Sequence, residues 1–158
     1  MKKIKKGKLI ELIVIFILGF VPLLWFKGSE VVLGHDAGLT LNPINHFIDR
    51  LYIWTNRFGF GNDQVYALPG FFIHGLEAFV NLLGFNIQQT QKLIFIFWFV
   101  LPGLSMYYFA SKLEKELSLK FFALPASVFY MFNHFLLQGW FVAERTKFSL
   151  YIALPSLS

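Results

Sequence analysis

Gly34-His35-Asp36-Ala37-Gly38 sets an imidazole beside a carboxylate between two glycines, about ten residues beyond the first long apolar run. A carboxylate in that place can deprotonate an acceptor hydroxyl arriving from water, or hold a divalent cation against a lipid phosphate; His35 can tune or share either task. The same residues also meet the needs of a turn, where Asp beside Gly is common. A second cluster, Glu144-Arg145-Thr146-Lys147, follows the third apolar run. There an Arg fork and a Lys point charge can grip the phosphate of a lipid-linked donor, although a short charged loop between two spans is also what solubility requires. Asn133, His134 and Gln138 lie within that third run, and helix-to-helix hydrogen bonding accounts for them as well as a site does.

Other chemistry has less support. His46 and His74 offer imidazoles, but they form no i, i+4 pair with each other or with His35, so a zinc site is not indicated and metal ligands stay open. Asp49-Arg50 and Arg57 flank the aromatic stretch LYIWTNRFGFGN, which suits anchoring at lipid headgroups. No phosphate loop, dinucleotide fingerprint, metalloprotease helix or nucleophile-elbow serine occurs. The absence of cysteine excludes disulfides, thiolate metal sites and a cysteine nucleophile.

The elements that must position these groups are membrane elements. Of the 158 residues, 56% are hydrophobic, 20% aromatic and only 15% charged, and the mean hydropathy is +0.59. One compact core of this length cannot hide that much apolar surface, so lipid is the expected solvent for part of it. Leu9 to Phe26 is broken only by Glu11, and its 18 residues cover about 27 Å of a ~30 Å hydrocarbon core. The preceding MKKIKKGK reads as a cytoplasmic polybasic flank. A secretory signal peptide shares that pattern, but the run is long for one and no small-x-small cleavage site follows.

The second span is Leu93 to Ala110, uncharged, with Pro102-Gly103 at its middle, where a kink is tolerated if neighbouring helices cover the freed carbonyl. Residues 111–120 (SKLEKELSLK) read as a cytoplasmic loop, and 121–140 as a third span. A fourth apolar run starts at Phe148 and stops at Ser158, too short to cross. Eight of the 14 basic residues fall in residues 1–8 and 111–120, which puts both on the cytoplasmic side and the N-terminus inside. That clustering reports topology rather than nucleic-acid binding.

Residues 27–90 form a long extracytoplasmic loop, too apolar for a disordered linker. Within it Val65 to Leu83 puts Phe71, Phe72, Leu76, Phe79, Val80 and Leu83 near one helical face and His74, Glu77 and Asn81 on the other, the pattern of an interfacial helix. Glu77 argues against a true crossing, and a crossing would move the Lys-rich loop outside. The expected architecture is therefore all-α and multispanning: one membrane domain over 1–158, with about three complete transmembrane helices and a truncated fourth. The chain reads as the N-terminal piece of a longer protein.

The order of features resembles the N-terminal membrane region of the GT-C superfamily, in particular its arabinofuranosyltransferase-like branch. The likeness covers most of the chain and rests on the GHDAG loop after one span, on FGFGNDQVYALPGFF, on LPGLSMYYFA and on FYMFNHFLLQGW leading toward YIALP. It implies transfer of a sugar, retaining or inverting, from a polyprenyl-phosphate donor to a glycan, lipid or protein acceptor at the outer face of the cytoplasmic membrane. In that superfamily an acidic residue of the first outside loop acts at the centre of the site, often as base, and Asp36 is its match. Glu144 and Arg145 match the second outside loop, where donor-phosphate contacts are common, with Lys147 and His35 as further substrate contacts. The paired Asp-x-Asp or Glu-x-Asp form of some branches is absent, so a divalent cation is an open cofactor. The rival class is a non-catalytic membrane protein, or a transporter or flippase subunit of a surface-polysaccharide pathway. This segment alone is expected to be inactive as a catalyst.

Overall fold

A computed structural model of the chain describes residues 6–28, 30–31, 41–55, 61–63, 70–134 and 155. Over these the protein is helical apart from one two-residue antiparallel pair. Helix α1 (Lys6–Leu18) leads into a 3-10 turn (Val21–Trp25), then α2 (Pro43–Arg50), β1 (Trp54–Thr55), β2 (Asn62–Asp63), α3 (Phe71–Leu82), α4 (Ile87–Glu116) and α5 (Ala123–Met131). Trp54 pairs with Asp63 and Thr55 with Asn62. Two stretches, Gly7–Trp25 and Ile87–Glu116, are long and apolar enough to cross a membrane.

Helix α1 stops because Pro22 has no N–H to give to Leu18. After the last α-helical bond, Gly19 N to Ile15 O at 3.0 Å, the chain tightens around the proline, with Phe20 N bonding Ile17 O at 3.1 Å and Leu23 N bonding Phe20 O at 2.9 Å. Helix α4 starts on a reciprocal cap: Asn86 Oδ1 accepts from Gln89 N at 2.9 Å and Gln89 Oε1 from Asn86 N at 3.0 Å. It runs 30 residues, about 45 Å, straight through the buried Pro102. Residues 111–116, expected in a loop, are its last turns, so the connection to α5 is only residues 117–122.

Partners ascend α1 as they descend α4, so the two helices are antiparallel. Tyr107 meets Glu11, a side-chain methylene on Gly103 would sit 3.1 Å from Ile15 Cγ2, and one on Gly19 would strike Val100 Cγ2. At the far end the Phe26 and Phe95 rings lie 5.7 Å apart, and Gln88 Nε2 donates to Gly28 O. Helix α5 packs back on α4 in turn. Met131 fills the space a side chain on Gly103 would take, and Phe99 meets Phe132 edge-on at 5.1 Å. Gly19 and Gly103 are thus the small residues that let three helices close, the packing device expected where lipid removes the hydrophobic drive between helices.

Helix α5 has no cap of its own at Phe122. Glu114 Oε1 supplies one from α4, accepting from Phe122 N at 2.6 Å and Ala123 N at 2.9 Å. Ser127, fully buried, returns its hydroxyl to Ala123 O at 2.7 Å. The helix runs over Ala123–Met131 and is C-capped at Phe132, so the first half of the expected span over 121–140 is helical. The rest of that run and the fourth run's start lie outside the described residues, Pro155 excepted.

Helix α3 covers Phe71–Leu82 of the segment expected to be helical, with Leu76, expected on its apolar face, packed against the core. Phe72, Phe79, Leu82 and Leu83 are exposed. The polar side is covered: Glu77 is 3% exposed, between Ile73 and Ala78, on a helix that packs against both α2 and α4. Gly75 gives Phe47 its seat, since a Cβ there would stand 3.2 Å from the ring, and Phe47 also meets Phe71 at 5.1 Å.

Candidate functional site

At the end of the hairpin where the 3-10 turn finishes and α4 begins, a cleft of about 730 Å³ opens, lined by Val31, residues 41–44, Asn81 and residues 86–88. The sequence builds its walls from helix starts and a helix stop. Asn42 caps α2, its Oδ1 accepting from Asn45 N at 3.0 Å, and Pro43 fits the first helical position, where no donor is needed. Gly84, with φ +93°, turns the chain out of α3, and Asn81 Nδ2 bonds Phe85 O across that turn at 2.9 Å. Asn86 then opens α4, and Gln88 ties it to Gly28.

Asp36 is five residues from both Val31 and Leu41 along the chain. His35 and Asp36 themselves lie outside the described residues, as do Glu144, Arg145, Lys147 and Gln138. Asn133 is described, and its Nδ2 donates to Tyr130 O at 2.7 Å at the end of α5, a capping role.

The structure joins two histidines that the spacing left unrelated. The His46 ring, from α2, meets the His74 ring, from α3, edge-on at 4.5 Å. His74 Nδ1 lies 3.2 Å from Glu77 Oε2, so the carboxylate orients the imidazole one helical turn before it. Among the described residues no group of three or more His, Asp or Glu side chains is placed to hold a metal ion. A second hollow, about 290 Å³ between Phe16, Leu93, Phe97 and Leu104, is apolar and offers no group for chemistry.

No family model, curated protein or solved structure matches the chain. Its chemistry therefore has to be read from its own residues. The reading from spacing passed over α2 and the four amides at the cleft, although signals for both were present. Asn42-Pro43 is a cap followed by a first-turn proline, and Asn86 with Gln89 ahead of an apolar run is a capping-box pattern.

Proposed function

We propose that this chain belongs to the membrane domain of a glycosyltransferase that moves a sugar from a polyprenyl-phosphate donor to a glycan, lipid or protein acceptor on the extracytoplasmic side. The observation that carries the reading is the antiparallel pairing of α1 with α4. Residues 29–86 leave and re-enter the hairpin at one end, and Val31 and Leu41, the described residues on either side of the GHDAG segment in sequence, both edge a cleft there. Helix α3, at 12 residues or about 18 Å, is too short to carry the chain across, in keeping with an interfacial helix whose Phe72 and Phe79 face lipid.

The depth of the hairpin supports a crossing. Lys92 lies over the Phe26 ring at 5.5 Å and Lys112 over the Tyr108 ring at 4.7 Å. The 20 residues from one lysine to the other rise about 30 Å, the hydrocarbon thickness, with basic and aromatic groups at both limits. Lys8, Lys112, Lys115 and Lys120 share the opposite end, the cytoplasmic side of an inner membrane under the positive-inside rule.

In this mechanism Asp36 takes the acceptor proton while Arg145, with Lys147, stabilises the departing lipid phosphate. The test is transfer from a radiolabelled polyprenyl-phosphate sugar in membranes carrying the intact protein. Asp36→Asn is expected to abolish transfer at unchanged expression, and Arg145→Ala to raise the donor concentration required. Unchanged turnover in Asp36→Asn removes Asp36 from the site. One observation favours the transport reading: Glu11 is an ionisable group inside a span, bonded to Tyr107. Loss of lipid-linked sugar translocation in Glu11→Gln, with transfer intact, would support that role instead.

A further inference from the structure

We propose that His46 and His74 form a pH-sensitive latch, which holds α2 on α3 at neutral pH and releases it on acidification. The latch is independent of the glycosyl-transfer reading and stands whether or not that reading does.

Two adjacent contacts join the helices. His46 meets His74 edge-on at 4.5 Å, and the next residue, Phe47, lies over Gly75 and meets Phe71 at 5.1 Å. The His74 ring is held on three sides. Its Nδ1 lies 3.2 Å from Glu77 Oε2, its Nε2 edge packs on Gly70, where a Cβ would stand 3.1 Å away, and His46 closes the third side. Little of this cluster meets solvent, since the His74 side chain is 14% exposed and that of Glu77 only 4%. His46 is half-buried.

Charge decides what such packing tolerates. One proton on the pair is balanced, because an imidazolium at His74 faces the buried Glu77 carboxylate. A second proton sets imidazolium against imidazolium at contact distance, where little water screens them and His74 has no room to turn away. Moving α2 off α3 relieves that repulsion. Rings released to water take protons at the ordinary imidazole value, ~6.5, whereas a second proton on the joined pair meets a like charge. Separated helices therefore bind more protons than joined ones. The latch is at full strength above that pH and weakens as the pH falls through it.

Among the described residues, the other charged groups on α2 and at the near end of α4 are Asp49, Arg50 and Lys92, of which Lys92 lies over the Phe26 ring. Since Asn42, Pro43 and Ile44 wall the cleft at the start of α4, release of α2 also takes away one side of that cleft.

The test is a distance measurement by double electron–electron resonance on the intact protein in micelles. The chain has no cysteine, so Ile48→Cys/Leu82→Cys, at exposed positions of α2 and α3, carries one spin label on each helix. The distance is expected to be narrowly distributed at pH 8 and to lengthen and broaden at pH 5, reversibly. Imidazole carbon shifts report the charge of each ring, and the lengthening is expected to follow protonation of His46 and His74 together. Adding His46→Phe keeps a ring against His74 and removes the second charge, while Asp49, Arg50, Glu77 and Lys92 stay in place. That variant is expected to hold the pH 8 distance at pH 5, and His46→Gln, uncharged but polar, to do the same. An unchanged distance in the parent double-cysteine protein, lengthening without protonation of the two rings, or equal lengthening in both His46 variants overturns the latch.

Discussion

The Tyr107 hydroxyl donates a 2.6 Å hydrogen bond to Glu11 Oε2, joining α1 to α4 across 96 residues of sequence. A carboxylate in so apolar a helix would otherwise need a solvent partner; here it is satisfied inside the helix pair, and it fixes the register of the hairpin.

Removing the donor tests that bond. Tyr107→Phe is expected to lower stability in micelles by about 1–2 kcal/mol, read from denaturant or thermal melting. Adding Glu11→Leu should return part of the loss, because no polar group is then left waiting in the interface. Strictly additive losses would mean the two side chains are not coupled.

Packing at the helix crossing gives a second prediction. Gly103→Val drives a branched side chain into Met131 and Ile15, an overpacking expected to cost about 1–3 kcal/mol. Met131→Ala makes room, so Gly103→Ala combined with Met131→Ala should melt closer to wild type than Gly103→Ala alone. The comparison is made on melting temperatures of the purified proteins.

Glu114 caps a helix other than its own. Glu114→Ala leaves the N–H groups of Phe122 and Ala123 without that acceptor and should destabilise the protein by about 0.5–2 kcal/mol. Glu114→Gln keeps a carbonyl oxygen and should lose less, a difference visible in amide exchange at the first turn of α5.

Topology can be tested directly, because the chain has no cysteine to remove first. Single cysteines at Glu30 and Asn45 should react with an impermeant maleimide on intact cells, and those at Lys8 and Ser118 only after permeabilisation. Labelling of Lys8 and Glu30 from one side would contradict the crossing of α1.

Helix α4 could be read from sequence alone, because a long uncharged run has few other ways to satisfy its backbone. The extent of its polar tail could not, since Lys112 to Glu116 are good loop residues and good helix residues alike; the packing of α5 and the cap from Glu114 keep those turns helical. In α3 the apolar segment was legible from period 3.6, whereas the burial of Glu77 depends on packing against α2 and α4, and α2 is an eight-residue helix whose short apolar pattern stands out little from its surroundings.

Local sequence suffices for the apolar character of this protein, the positions of its two long apolar helices and the clustering of its basic residues, because hydropathy, helix length and charge are sums over neighbours in the chain. Packing is what brings Glu11 to Tyr107, His46 to His74, and Asn42, Asn81, Asn86 and Gln88 to one cleft. Those relations join residues tens of positions apart, and they exist only after Gly19 and Gly103 let the helices approach and fixed caps set where each one begins.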